Sequence, residues 1–158
     1  MTAWTIYPSP LGQIFLSGAN GALTGLWFRG QRHGPDVPGP VGSDPALELG
    51  MKWLDAYFSS QIPDFLPPLA PAGTPFQRRV WQALLEIPYG ATVTYGHLAR
   101  DLSCASAQAV GQAVGRNPIG LIIPCHRVVG ADGRLTGYAG GLDKKAALLA
   151  LEKGELPW

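Results

Sequence analysis

What the chain lacks narrows its possible roles before any motif is read. It holds two cysteines, Cys104 and Cys125, in 158 residues. That is too few for a disulfide framework. The three histidines, His33, His97 and His126, are scattered. Together with the cysteines they show none of the closely spaced ligand pairs of a zinc site, so no metal is expected. No apolar run approaches the roughly 18 residues that span a bilayer. The opening Met1-Thr2-Ala3-Trp4 has neither the basic start nor the apolar stretch of a secretion signal. A protein of the reducing cytoplasm, with no membrane contact, is expected. Only 15% of residues are charged against 46% hydrophobic, which excludes a disordered chain. A net charge of +1 excludes a bulk polyanion binder.

The charge is unevenly placed. Residues 1–73 hold three Lys/Arg against five Asp/Glu, and residues 74–158 hold nine against six. Between Gln77 and Arg134 stand six arginines, no lysine and three acids. A modestly basic second half is compatible with nucleic acid without being diagnostic of it.

Thr2–Tyr7, Leu11–Ser17 and Ala22–Phe28 read as short strands. Asn20-Gly21 between the last two is a hairpin signal. Residues 30–43 carry four glycines and three prolines and read as a loop. Asp44-Pro45 is a helix start, with a capping acid followed by proline. Leu47, Met51, Leu54 and Phe58 then recur at helical spacing. Five prolines between Pro63 and Pro75 mark a linker. Residues 1–70 thus form a small scaffold domain with no visible chemistry, and residues 71–158 form a second domain.

The second domain opens on a capping box, Thr74 with Gln77 three residues later and Pro75 at the first helical position. Phe76, Val80, Trp81, Leu84 and Leu85 form its apolar stripe. Thr94 and Ser106 can cap two further short helices, the outline of a helix-turn-helix. The second of these runs Ala107-Gln108-Ala109-Val110-Gly111-Gln112-Ala113-Val114. Gly111 costs roughly 1 kcal/mol of helix propensity relative to alanine. Such small side chains admit another backbone, either a DNA strand or a neighbouring helix. A last helix is read from Asp143 to Lys153, with Leu142, Ala146, Leu149 and Lys153 on one face. Glu152 stands at its C-terminal end, where the helix dipole opposes a carboxylate. The predicted fold class is α+β: an antiparallel sheet with a helix, then a mainly helical domain.

Between these helices runs Ile122-Ile123-Pro124-Cys125-His126-Arg127-Val128-Val129. A thiol reacts as the thiolate, which is scarce at neutral pH. An adjacent imidazole, directly or through a water, can remove the proton. A packed free cysteine beside a structural histidine is the simpler alternative.

In sequence context, Asn117-Pro118, Pro124-Cys125-His126-Arg127-Val128, Gly137-Tyr138-Ala139-Gly140-Gly141 and Glu152 resemble the O6-alkylguanine-DNA alkyltransferases, the methylated-DNA–protein-cysteine methyltransferases. Pro88-Tyr89-Gly90 and Thr94-Tyr95-Gly96 extend the likeness across the second domain. The resemblance implies a repair protein that flips O6-alkylguanine out of double-stranded DNA. It then moves the alkyl group irreversibly to its own cysteine, once per molecule. By position, Cys125 is the acceptor, His126 its base through a water, and Glu152 the group that orients His126. Asn117 braces the turn before the cysteine, and Tyr95 protonates the leaving guanine. Ala107, Gln108, Gly111, Arg116 and Gly96 contact DNA, while Val128, Tyr138 and Ala139 line the base pocket. No cofactor is implied, and the protein is expected to act as a monomer. Gln108 departs from the family pattern, which places an arginine there to fill the gap left by the flipped base. A lesion-binding relative without transfer would lack the acceptor cysteine. A cysteine hydrolase built on the same three residues would turn over an ester.

Overall fold

The computed structural model describes residues 1–158. Three antiparallel strands, β1 (Ala3–Ser9), β2 (Gly12–Ala19) and β3 (Ala22–Phe28), form a meander in sequence order. The β2–β3 turn is made by Asn20 and Gly21, both at positive φ (53° and 80°). That conformation matches the right-handed twist of the flanking strands. β1 runs further than its proline suggests, with Pro8 opposite Gln13. A proline is tolerated there because β1 is an outer strand with no full ladder on its far side.

One face of the sheet buries Ile14, Leu16, Leu23, Leu26 and Phe28. Helix α1 (Pro45–Phe58) covers it with Ala46, Leu47, Leu54 and Tyr57. The capping acid also ties the helix to the sheet: Asp44 Oδ1 accepts from Ala46 N at 2.9 Å and Oδ2 from Gly21 N at 3.2 Å.

The outer edge of β3 is not left open. Leu23 pairs with the proline-rich segment, its N–H donating to Pro68 O at 2.8 Å while Ala70 N donates back to Leu23 O. Three residues on, Leu26 N donates to Pro118 O and Gly120 N to Leu26 O, at 2.8 and 3.0 Å. The stretch that leads to Cys125 is therefore hydrogen-bonded directly to the sheet.

Helix α2 (Pro75–Leu84) starts on the expected reciprocal Thr74–Gln77 capping box. Helices α3 (Tyr95–Asp101) and α4 (Ala107–Gly115) are capped by Thr94 and Ser106. Trp81 Nε1 donates to Ala113 O at 2.8 Å, pinning α4 against α2. Two residues before α3, β4 (Val93–Thr94), pair in parallel with β5 (Val128–Val129), which follows the cysteine. One apolar core runs from the strands through α1 and α2 to the last helix, α5 (Leu142–Glu152).

The face read for α5 is corrected. Leu142 is 48% exposed, and the buried residues are Lys145, Leu148, Leu151 and Glu152. Reading only apolar residues as core misses a helix whose inward face carries two charges with dedicated partners. No helix is long and apolar enough to cross a membrane.

Candidate active site

The apolar run before the cysteine does not continue as a strand; it winds through tight turns. Ile122 N donates to Gly120 O and Cys125 N to Ile123 O, at 2.7 and 2.8 Å. Leu121, between them, sits at φ +65° although it is not glycine. Left-handed backbone at a bulky residue costs on the order of 1 kcal/mol and persists only where surroundings impose it. Asn117 imposes it here: Nδ2 donates to Ile123 O at 2.8 Å, and Oδ1 accepts from Ile119 N at 3.0 Å. Asn117 thus ties both ends of the turn that precedes Cys125. Pro124 then admits a single 3-10 turn, Cys125–Arg127.

Half-buried Cys125 is presented to a groove of about 820 Å³. One wall is the outer face of α4 with Ala107, Gln108, Gly111 and Gln112. The other is formed by Gln31–His33 and by Thr136–Gly140. Tyr95, Asn117 and Arg116 complete the lining. A Cβ added at Gly111 would rest 3.6 Å from the Tyr95 ring, and one at Gly115 would meet nothing. The space beside Gly111 is thus bounded by a side chain of α3, and the space beside Gly115 is open.

Behind Cys125 lies a buried charge cluster. Glu152 Oε2 is 2.5 Å from His126 Nε2 and accepts from Tyr57 Oη at 2.7 Å. Oε1 accepts from Arg127 Nε at 2.7 Å and from Gly90 N at 3.1 Å. Arg127 spans both oxygens, with Nη2 3.1 Å from Oε2, and its Nη1 donates to Ile87 O at 2.8 Å. Burial alone would raise the Glu152 pKa. His126 and Arg127 outweigh it and hold the carboxyl at about 2. The dipole penalty at the helix end is met by this set of donors.

Burial, with the Arg127 and Lys145 charges, keeps the His126 imidazole below its ordinary value despite Glu152. Because the ionised carboxylate only accepts, Nε2 of a neutral His126 carries the proton. Nδ1 then holds the lone pair, and it has no protein hydrogen-bond partner. A buried base with its tautomer set by a carboxylate can take a proton.

Burial pushes the Cys125 thiol up, while Asn117, the Lys145 charge and the Cys125 and His126 amides pull it down. Lys145 is fully buried on α5. Its Nζ donates to Val128 O, Thr136 O and Gly137 O at 2.6, 2.8 and 3.3 Å. Its pKa is lowered by burial and raised by Cys125. No carboxylate lies within ion-pair range of it. Tyr95 Oη shares two of these carbonyls, at 3.3 Å from Thr136 O and 3.4 Å from Gly137 O.

Cys125, Asn117, Tyr95, Ala107, Gln108, Gly111, Arg116, Tyr138 and Ala139 thus meet at one groove, with His126 and Glu152 behind it. Val128 does not line the groove. Its side chain is wholly buried in the β4–β5 pairing, and its contribution is the carbonyl that holds Lys145. Gly96 lies on the first turn of α3, outside the lining. Lys145 and Tyr57 escaped the sequence reading. Lys145 sits three residues before Leu148 and six before Leu151, a charge in register with a buried stripe, and that register was the available signal. Tyr57 gave none, because it lies on α1 in the supposedly inert half.

The chain is similar to known proteins in both sequence and fold. A family model, the DNA-binding domain of 6-O-methylguanine DNA methyltransferase, matches residues 75–154. The chain is 46% identical over 149 residues to a methylated-DNA–protein-cysteine methyltransferase of Mycobacterium leprae, covering 94% of this chain and 90% of that protein. It is also 46% identical to the protein of that name from Methanosarcina acetivorans, covering 94% and 97%. A crystal structure of Mycobacterium tuberculosis OGT in complex with DNA superposes with a TM-score of 0.86 at 43% identity, covering 98% of this chain and 95% of that one.

Proposed function

Since the chain belongs to the methylated-DNA–protein-cysteine methyltransferase family and is a DNA repair methyltransferase, we propose that it flips O6-alkylguanine from duplex DNA and takes the alkyl group irreversibly onto Cys125. The observation that carries this reading is the pairing of a groove-facing thiol with a buried, carboxylate-oriented imidazole whose second nitrogen is free.

The thiol proton passes through a water to His126 Nδ1, and the developing imidazolium is balanced by Glu152. The thiolate attacks the alkyl carbon in line. A carbon–sulfur bond forms as the carbon–oxygen bond to guanine breaks, and positioning is most of the task. The leaving guanine takes a proton from Tyr95. In-line approach is impossible inside the base stack, so the nucleotide must leave it. The thioether product is a very poor leaving group, and one molecule reacts once. Asn117 holds the turn, Ala107, Gln108, Gly111, Arg116 and Gly96 face DNA, and Tyr138 with Ala139 receives the base. Residues 71–158 carry the reaction as a monomer, and residues 1–70 buttress it.

The test is incubation with a duplex containing O6-methylguanine, followed by intact-protein and peptide mass measurement. The expected result is one gain of about 14 Da, a methyl replacing a proton, on Cys125 and none on Cys104. Methylation of a Cys125→Ala variant, or several turnovers per molecule, overturns the reading.

A further inference from the structure

The groove has a charge distribution that its helix wall does not explain. Helix α4 carries no charged residue from Ala107 to Gly115. No acidic residue lines the groove, and its two permanently charged lining residues are Arg32 and Arg116. Arg116 follows α4, whereas Arg32 comes from the loop after β3, in the half of the chain with no expected role in binding. Both side chains are exposed and neither is in an ion pair. Both stand near His33, which is itself exposed at the groove and whose pKa burial and then the Arg116 and Arg32 charges lower.

The loop is built to hold this position. Gln31 Oε1 accepts from Phe28 N at 2.8 Å, Gly34 N donates to Gln31 O at 3.2 Å, and His33 occupies φ +64°. Arg32 N donates to Ala139 O at 2.8 Å, joining the loop to the segment that walls the pocket. The backbone of Arg32 is thus committed to the protein, and its guanidinium is not.

On the reading that this groove binds duplex DNA, we propose that Arg32 and Arg116 form a two-sided clamp for backbone phosphates of the lesion strand, so that the loop after β3 is part of the DNA-binding surface. Guanidinium groups suit this ligand because their planar fork of donors matches phosphate oxygens. With an uncharged glutamine at position 108, these two arginines carry the phosphate attraction within the groove.

The experiment measures affinity for an O6-methylguanine duplex at several salt concentrations, beside the reaction rate with a free O6-alkylguanine base. Wild type, Arg32→Gln, Arg116→Gln and the double variant are compared. Each single change is expected to weaken duplex binding and to reduce the salt slope by about one unit, and the double change by about two. The free-base rate of Arg32→Gln should stay at the wild-type level. Arg32→Gln keeps the backbone bond to Ala139, so the pocket wall survives the change. An unaltered salt slope in Arg32→Gln overturns the clamp. Equal slowing with the free base overturns it too, because Arg32 would then act through the pocket wall. Failure of wild type to react with the duplex would instead remove the functional reading beneath the clamp.

Discussion

The two charged residues that α5 buries, Lys145 and Glu152, are handled in opposite ways. Glu152 is fully compensated, with a bidentate arginine, an imidazole, a phenol and a backbone amide around one carboxylate. Lys145 receives carbonyl oxygens, with the Tyr95 ring face 6.0 Å from its Nζ, but no carboxylate, so its donors are satisfied while its charge has no counter-ion. A buried ion without a counter-ion is costly. The charge that could answer Lys145 is the Cys125 thiolate, the one nearby group that raises the lysine's pKa. One end of the helix is electrostatically finished, and on the proposed reaction the other would be completed by forming the Cys125 thiolate. Alkylation of that thiolate would leave Lys145 uncompensated again.

The sharpest way to break this contrast is at the finished end. Glu152→Gln leaves the buried Arg127 guanidinium without its counter-ion and should lower stability by about 3–5 kcal/mol. It should also slow single-turnover transfer by at least about 10²-fold, as should His126→Ala, the usual lower range for losing general-base help. Calorimetry and quench-flow rates check the two effects. Near wild-type rates in both variants would remove the relay. The pH dependence separates a charge effect from simple packing. The folded Glu152 pKa of about 2 lies below the ordinary value of 4.5, so its stabilisation is complete above pH 4.5 and lost as pH falls toward 2. That window should hold on the order of 3 kcal/mol of wild-type stability and be flattened in Glu152→Gln.

At the unfinished end the expected effect is smaller and mainly on reactivity. Lys145→Met removes the charge at similar length and should raise the Cys125 pKa by about one unit, the lower range for a nearby opposite charge. Transfer at neutral pH should slow by about tenfold, with the pH–rate midpoint displaced to higher pH. A slowed reaction with an unmoved midpoint would mean that Lys145 only ties the Thr136–Gly137 loop in place.

The mildest change sharpens the comparison from outside both ends. Tyr57→Phe deletes one of several donors to Glu152 and should cost about 1–2 kcal/mol of stability, read by denaturant unfolding. The transfer rate should change by less than about threefold, because Arg127 and His126 remain. A larger loss of rate than of stability would make Tyr57 a positioning residue for His126.

Much of this was legible in the sequence because it rests on local chemistry. Thr74 with Gln77, Asp44 with Pro45, and Ser106 each satisfy backbone donors within a few residues, so helix starts could be read directly. Cys125 and His126 stood out through their adjacency, and Glu152 only through the family resemblance. What escaped was set by tertiary distance. Tyr57 and Glu152 are 95 residues apart, and Arg32 reaches Ala139 across a similar gap. No spacing rule connects such positions. Val128 misled for a different reason: its backbone serves the site while its side chain serves the core.

The covered edge of β3 bears on how the chain comes off the ribosome. Leu23 finds its partners at Pro68 and Ala70, soon after the strand itself is made. Leu26 must wait for Pro118 and Gly120, nearly a hundred residues later. Until then a hydrogen-bonding edge next to Leu26 and Phe28 stays unpaired, and such edges seed association between nascent chains. The late segment that closes it is the one that carries Cys125. Completing the sheet and setting Cys125 in place are therefore one event in biogenesis, and a chain stalled before that segment is left sticky and without its groove thiol together.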